Sequence, residues 1–196
     1  ADSKSFVIRM IPRGRGPAPE ASYVPSGPVV QENLGKKAPA RTLQDLLENP
    51  HDEALFEHYT TSQVVVLELD GDWRPIAGPA MIRWMDPSPD GRYLLLQTVQ
   101  KPFSYSLQES SFPRRIEIWD LAANEPVHRV ADLPLQDQVP VSFGSVPTGP
   151  RSVQWRDGAA AELVWTEALD GGDGGAEAEW RDRVLTLAAP FDAEPV

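Results

Sequence analysis

Chemistry in this 196-residue chain could reside in three histidines, one glycine–aspartate loop and a short run of basic side chains. His51 and His58 are seven residues apart, a spacing that puts two imidazoles on similar faces of a continuous helix, as metal ligation would require. Pro50 and a cap at Asp52 make His51 a helix-entry residue, so surface or capping roles are expected for the pair, with metal ligation as the alternative. His128 falls in a strand with no second ligand type at useful spacing. Asp170-Gly171-Gly172-Asp173-Gly174-Gly175 has the composition of calcium loops, which curl carboxylates around an ion. A single copy reads instead as a flexible loop between strands. Asp52 and Glu53 are expected to stabilise a helix N-terminus, not to act as an acid–base pair.

Nucleophilic catalysis has little to work with. The chain has no cysteine. A serine on the usual hydrolase elbow needs Gly-x-Ser-x-Gly, because the glycines permit the strained turn that exposes the hydroxyl. Ser145 follows Gly144, but Phe143 and Pro147 flank it where the glycines should be. No catalytic residue, metal or cofactor is expected within these residues.

Charge is distributed unevenly. Arg13, Arg15, Lys36, Lys37 and Arg41 make the one concentration of positive charge and are the candidate substrate-binding residues, suited to a carboxylate-bearing peptide. The bland reading is a solvated loop kept soluble by its charge. Residues 1–41 carry net +4, the remainder −15, and the whole −11. So acidic a chain is a poor partner for nucleic acid or an anionic membrane surface. No apolar run approaches the roughly 20 residues of a membrane-spanning helix.

The elements that must position these groups are mostly strands. Residues 6–11 form an apolar run ended by Pro12 and predict a buried strand. Residues 12–41, rich in Pro and Gly, predict a long surface excursion. Thr42 is expected to open a short helix with Leu43, Leu46 and Leu47 on one face, Pro50 to interrupt, and Asp52 to cap a second helix reaching Tyr59. Thereafter strands are predicted over 64–69, 73–76, 82–85, 93–99, 115–121, 127–130, 152–155, 161–166 and 183–187, separated by turn sequences.

A strand, an Asp-containing turn and an apolar strand recur around Pro89-Asp90-Gly91 and Arg156-Asp157-Gly158, and Asp2 opens a similar phrase. Such repetition predicts an all-β chain with a short helical insertion: a partial β-propeller of about two to three four-stranded antiparallel blades. A single sandwich is the alternative. The expected division is a partial blade with its insertion (1–80), a complete blade (81–135) and most of a further blade (136–196). The chain begins without methionine, and it is expected to be cut from something longer. Open blade edges are expected to promote self-association.

Several phrases together resemble one family. Residues 24–41 and 42–59, with Ser88-Pro-Asp-Gly-Arg-Tyr-Leu-Leu-Leu96, Arg115-Ile-Glu-Ile-Trp-Asp-Leu121, Pro147-Thr-Gly-Pro-Arg-Ser152 and Glu167-Ala-Leu-Asp-Gly-Gly-Asp173, resemble glutamyl-endopeptidase-like members of the prolyl oligopeptidase family of serine peptidases. The resemblance implies an N-terminal propeller covering a C-terminal α/β-hydrolase domain, cleavage of peptides after glutamate, and a propeller that filters substrates. It implies a bacterial or plant-organelle setting. No triad residue can be carried over, since the matching residues lie in the propeller. The expectation is therefore a non-catalytic piece that gates or orients peptides for a hydrolase domain. The rival expectation is a stand-alone β-rich binding module.

Overall fold

A computed structural model describes residues 4–22, 27, 43–140 and 143–196. Nine strands and one α-helix follow in the order β1 (Ser5–Met10), α1 (Pro50–Thr60), β2 (Thr61–Glu68), β3 (Trp73–Pro87), β4 (Tyr93–Val99), β5 (Arg114–Asp120), β6 (Glu125–Leu133), β7 (Arg151–Trp155), β8 (Glu162–Ala168) and β9 (Asp182–Ala188). All pairs are antiparallel. Strands β1 to β6 form one sheet in sequential order, and β7 to β9 another. The architecture is all-β with a short helix.

β3 is one 15-residue strand where two short ones were expected, at 73–76 and 82–85. Its first part pairs with β2, from Leu67↔Trp73 to Thr61↔Met81, and its last part with β4, from Ile82↔Thr98 to Pro87↔Leu94. The strand thus changes partner between Met81 and Ile82, and the six-stranded sheet folds into two halves there. Gly78 and Pro79 look like punctuation locally, yet both are exposed, so neither has to break the strand.

The β4–β5 half is buried on both faces. Successive strand side chains point to opposite sides, and Tyr93-Leu94-Leu95-Leu96 is buried throughout. Leu94 and Leu96 pack with Val64, Val66, Ile76 and Ala77 of the preceding half-sheet. Tyr93 and Leu95, with Ile116 and Ile118, pack with Trp155, Leu163, Trp165 and Leu187 of the following sheet. Three layers therefore stack with β4 and β5 in the middle. Truncating Leu94 or Leu95 to alanine would cost about 2–5 kcal/mol.

Some local expectations are corrected. The first strand is present, but it is an edge with half-exposed burial, Phe6 at 56 % exposure, not a buried strand. Among the described residues it pairs with β2 alone, so one of its edges finds a strand partner. Residues 43–49 are not helical, and Asp45 adopts φ 58°, in the left-handed region that a helix does not use; Thr42 lies outside the described residues. Pro50 begins α1 instead of interrupting it, and Asn49 caps it where Asp52 was expected. Asn49 Oδ1 accepts the N–H groups of His51 and Asp52 at 2.9 and 3.1 Å. Proline loses nothing at a first helical position, where its missing N–H would have no partner.

Candidate functional site

The eight connections between strands divide sharply by length. Residues 69–72, 88–92, 121–124 and 156–161 are tight turns, whereas 11–60, 100–113, 134–150 and 169–181 are long. From β3 onward successive antiparallel connections alternate between ends, which puts 88–92, 121–124 and 156–161 at one end and 100–113, 134–150 and 169–181 at the other. Contacts place the remaining two: Arg74, just after 69–72, donates to Asn124 Oδ1 at 2.5 Å among the turns, and Glu57, late in 11–60, meets Lys101 among the long segments. Cross-links at both ends agree. Asp90 N donates to Ala160 O at 3.0 Å among the turns. Among the long segments, Gln136 N donates to Ser111 O (2.9 Å) and Val146 N to Gly172 O (3.0 Å).

This end holds the candidate site. A cleft of about 320 Å³ runs between three of the long connections, lined by Leu43, Ser106, Gln108, Gln136, Asp137 and Val139 among others. Its walls are braced by α1. Phe56 meets Phe103 and Phe112 edge-on at 5.2 and 5.8 Å between centroids. Lys101 Nζ reaches Glu57 Oε2 at 2.6 Å. The Tyr105 hydroxyl bonds to Glu53, which with burial pushes its pKa up to about 12, so the phenol stays neutral and holds residues 100–113 to the helix.

Residues 169–181 are ordered by one arginine. Arg181 reaches Asp170 Oδ2 at 3.0 Å and donates to the carbonyls of Asp173 (3.4 Å) and Ala176 (3.1 Å). The Asp170 side chain is only 5 % exposed. Its other oxygen accepts Gly172 N at 2.9 Å. Gly172 and Gly174 lie so close to the carbonyls of Val146 and Phe143 that a Cβ at either would overlap them. The expected flexible loop is therefore a latched one, whose glycines permit close backbone approach. Arg181 was not singled out in the sequence, because no local pattern ties an arginine to a carboxylate eleven residues earlier.

Arg13 and Arg15, from the expected basic patch, are both engaged within the chain. The Arg13 guanidinium lies 4.8 Å from the Trp73 ring centroid. Arg15 donates to His58 O at 3.3 Å, near the end of α1. Lys36, Lys37 and Arg41 lie outside the described residues, so the patch as a unit is not described. His58 packs against Tyr59. Among the described residues no three His, Asp or Glu side chains group as metal ligands would.

A second basic group was overlooked. Arg83 forms an ion pair with Glu109, and Arg114 donates to Ser110 O at 2.9 Å. Arg114 Nε is buried and has no hydrogen-bond partner among the described residues. Burial, and then the neighbouring Arg83 cation, hold the Arg114 pKa below the usual guanidinium value, against an opposing pull from Glu109.

Over its length the chain matches curated plant proteins. A rice (Oryza sativa subsp. japonica) protein named "Probable glutamyl endopeptidase, chloroplastic" is 38% identical over 195 residues, 98% of this chain and 21% of that protein. An Arabidopsis thaliana protein of the same name is 36% identical over 189 residues, 96% and 20% respectively. This is a glutamyl-endopeptidase-like sequence. It spans about one fifth of the length of these relatives. No protein-family profile matches the chain. The crystal structure of an uncharacterized protein from Listeria monocytogenes EGD-e overlaps 68% of this chain and 32% of its own, at 14% identity and TM-score 0.40, and carries no inference.

Proposed function

We propose that this chain is part of a β-propeller in a serine peptidase of the prolyl oligopeptidase family, where it gates or orients peptides for an α/β-hydrolase domain. The carrying observation is the gathering of every long connection at one end of the stacked layers, around a cleft. Antiparallel sheets packed face to face in chain order, as here, fit the radial repetition of neighbouring propeller blades. The names of the plant relatives support a peptidase setting.

In this reading the tight-turn end is scaffold and the long-connection end meets the substrate. The basic residues Arg13, Arg15, Lys36, Lys37 and Arg41 favour acidic peptides by long-range attraction, on an otherwise acidic body. The test is cleavage of a glutamate-containing peptide by a full-length protein carrying this chain, with Arg13, Arg15, Lys36 and Lys37 changed to alanine. The expected result is a fall of about 3–10-fold in kcat/KM, shrinking at high salt. Unchanged kinetics overturn the role given to these cations.

A further inference from the structure

Arg83 occupies an unusual place in β3. Ile82 opposes Thr98 and Trp84 opposes Gln97, so Arg83 is the extra residue of a bulge. Bulges kink a strand and re-aim a side chain. The bulge sits just past the change of partner, at the long-connection end, and Arg9 Nη1 donates to Ile82 O there at 2.9 Å. Beside it lies a shallow, open cleft lined by Arg83, Trp84, Gln97 and Glu109. Trp84 is 58 % exposed in it, although bulky aromatics are usually covered.

We propose that this cleft binds the carboxylate of an acidic peptide side chain on Arg83, with Glu109 holding the guanidinium until the ligand replaces it. The charges favour an anion, since two guanidiniums, Arg83 and Arg114, lie near the one carboxylate of Glu109, which pairs with Arg83. Arg114 is near enough to feel the Arg83 charge and keeps a buried donor unpaired among the described residues, and a second carboxylate nearby would relieve the repulsion between the two cations. Glu109 is suited to displacement. It opens a single 3-10 turn (Glu109–Ser111) with no side-chain cap, and its side chain is 37 % exposed. Arginine suits the task because its planar fork pairs a carboxylate through two parallel bonds. The Trp84 ring offers apolar cover to the methylene groups of a glutamyl side chain, and the Gln97 amide can donate to or accept from a peptide group. The site uses none of the cations assigned above to substrate attraction.

The experiment is calorimetric titration of the 196-residue chain with a capped hexapeptide carrying one central glutamate, and with its glutamine twin. The glutamate peptide should bind at least tenfold more tightly, with the advantage falling as salt is raised. Arg83→Gln should abolish the advantage, with a thermal melt showing that the variant is folded. Glu109→Gln should strengthen binding of the glutamate peptide severalfold, a gain that misfolding does not produce. Equal affinities for the two peptides, no binding of either, or discrimination retained in folded Arg83→Gln would overturn the proposal. Peptidase kinetics play no part in the measurement, so a failure of the gating reading leaves its outcome intact.

Discussion

Trp155 Nε1 donates to the main-chain carbonyl of Asp86 at 2.8 Å, across 69 residues of sequence and between adjacent layers. The ring is 7 % exposed and sits in the cluster formed by Tyr93, Leu163 and Phe191. The same side chain therefore fills the space between two layers and fixes their offset along the strands.

Trp155→Phe should keep most of the packing and lose the bond, at a cost of about 1–3 kcal/mol because the Asp86 carbonyl is left without this partner. Trp155→Ala should cost about 3–5 kcal/mol. Urea denaturation of both variants checks this. No loss in Trp155→Phe, beside a full loss in Trp155→Ala, would mean that packing alone holds the layers.

The latch in residues 169–181 predicts a contrast among glycines. Gly172→Ala and Gly174→Ala should each destabilise by about 1–3 kcal/mol, since the added carbon meets the backbone carbonyls of Val146 and Phe143. Gly171→Ala meets open space and bears only its left-handed backbone, φ 70°, at about 1 kcal/mol. Arg181→Ala should accelerate amide exchange at Gly172 and Val146 with little change in far-ultraviolet dichroism. Unaltered exchange would show that the loop holds without its arginine.

Acid should weaken the fold through the turn after β5. Asp120 Oδ1 accepts the N–H of Ala123 (3.0 Å) and of Ala122 (2.8 Å), which with Arg92 lowers its pKa against the effect of burial. Arg115 and then Arg129 similarly lower that of Asp132. A carboxylate with a depressed folded pKa stabilises above its unfolded pKa, near 4, and the contribution is lost as pH falls through the folded value. Asp86, raised by burial, has the opposite sign and gains as pH falls. Glu167 is depressed as well, so three lowered carboxylates stand against one raised, and stability should drop between about pH 4 and pH 2. Asp120→Asn should flatten that drop in urea midpoints taken across the range, and an unchanged slope would count against this assignment.

The free edge of β1 is proposed to mediate self-association. Among the described residues that strand pairs with β2 alone, and it exposes Phe6. β9 is partly covered instead, because Val196 exchanges both backbone bonds with Thr186, at 2.8 and 3.0 Å. Sedimentation of the 196-residue chain should show concentration-dependent association, reduced by Phe6→Lys, since a charged edge resists pairing. A strictly monomeric profile at high concentration would contradict this.

Strand positions after residue 60 were largely legible because alternation, apolar runs and turn residues are local signals. Tyr93–Val99 was read at its observed bounds, and the turn at Pro89-Asp90-Gly91 lies where its glycine, at φ 72°, requires. The site was less legible. The continuity of β3, the edge position of β1, the bulge at Arg83 and the latch at Arg181 all depend on partners distant in sequence. A one-dimensional pattern states what a side chain prefers, not which backbone arrives to meet it. Residue types and spacing therefore determined an all-β chain with a helical insertion. Only the stacking of the layers decided that its long connections share one end, and that Arg83 meets Glu109 there with Arg114 close by.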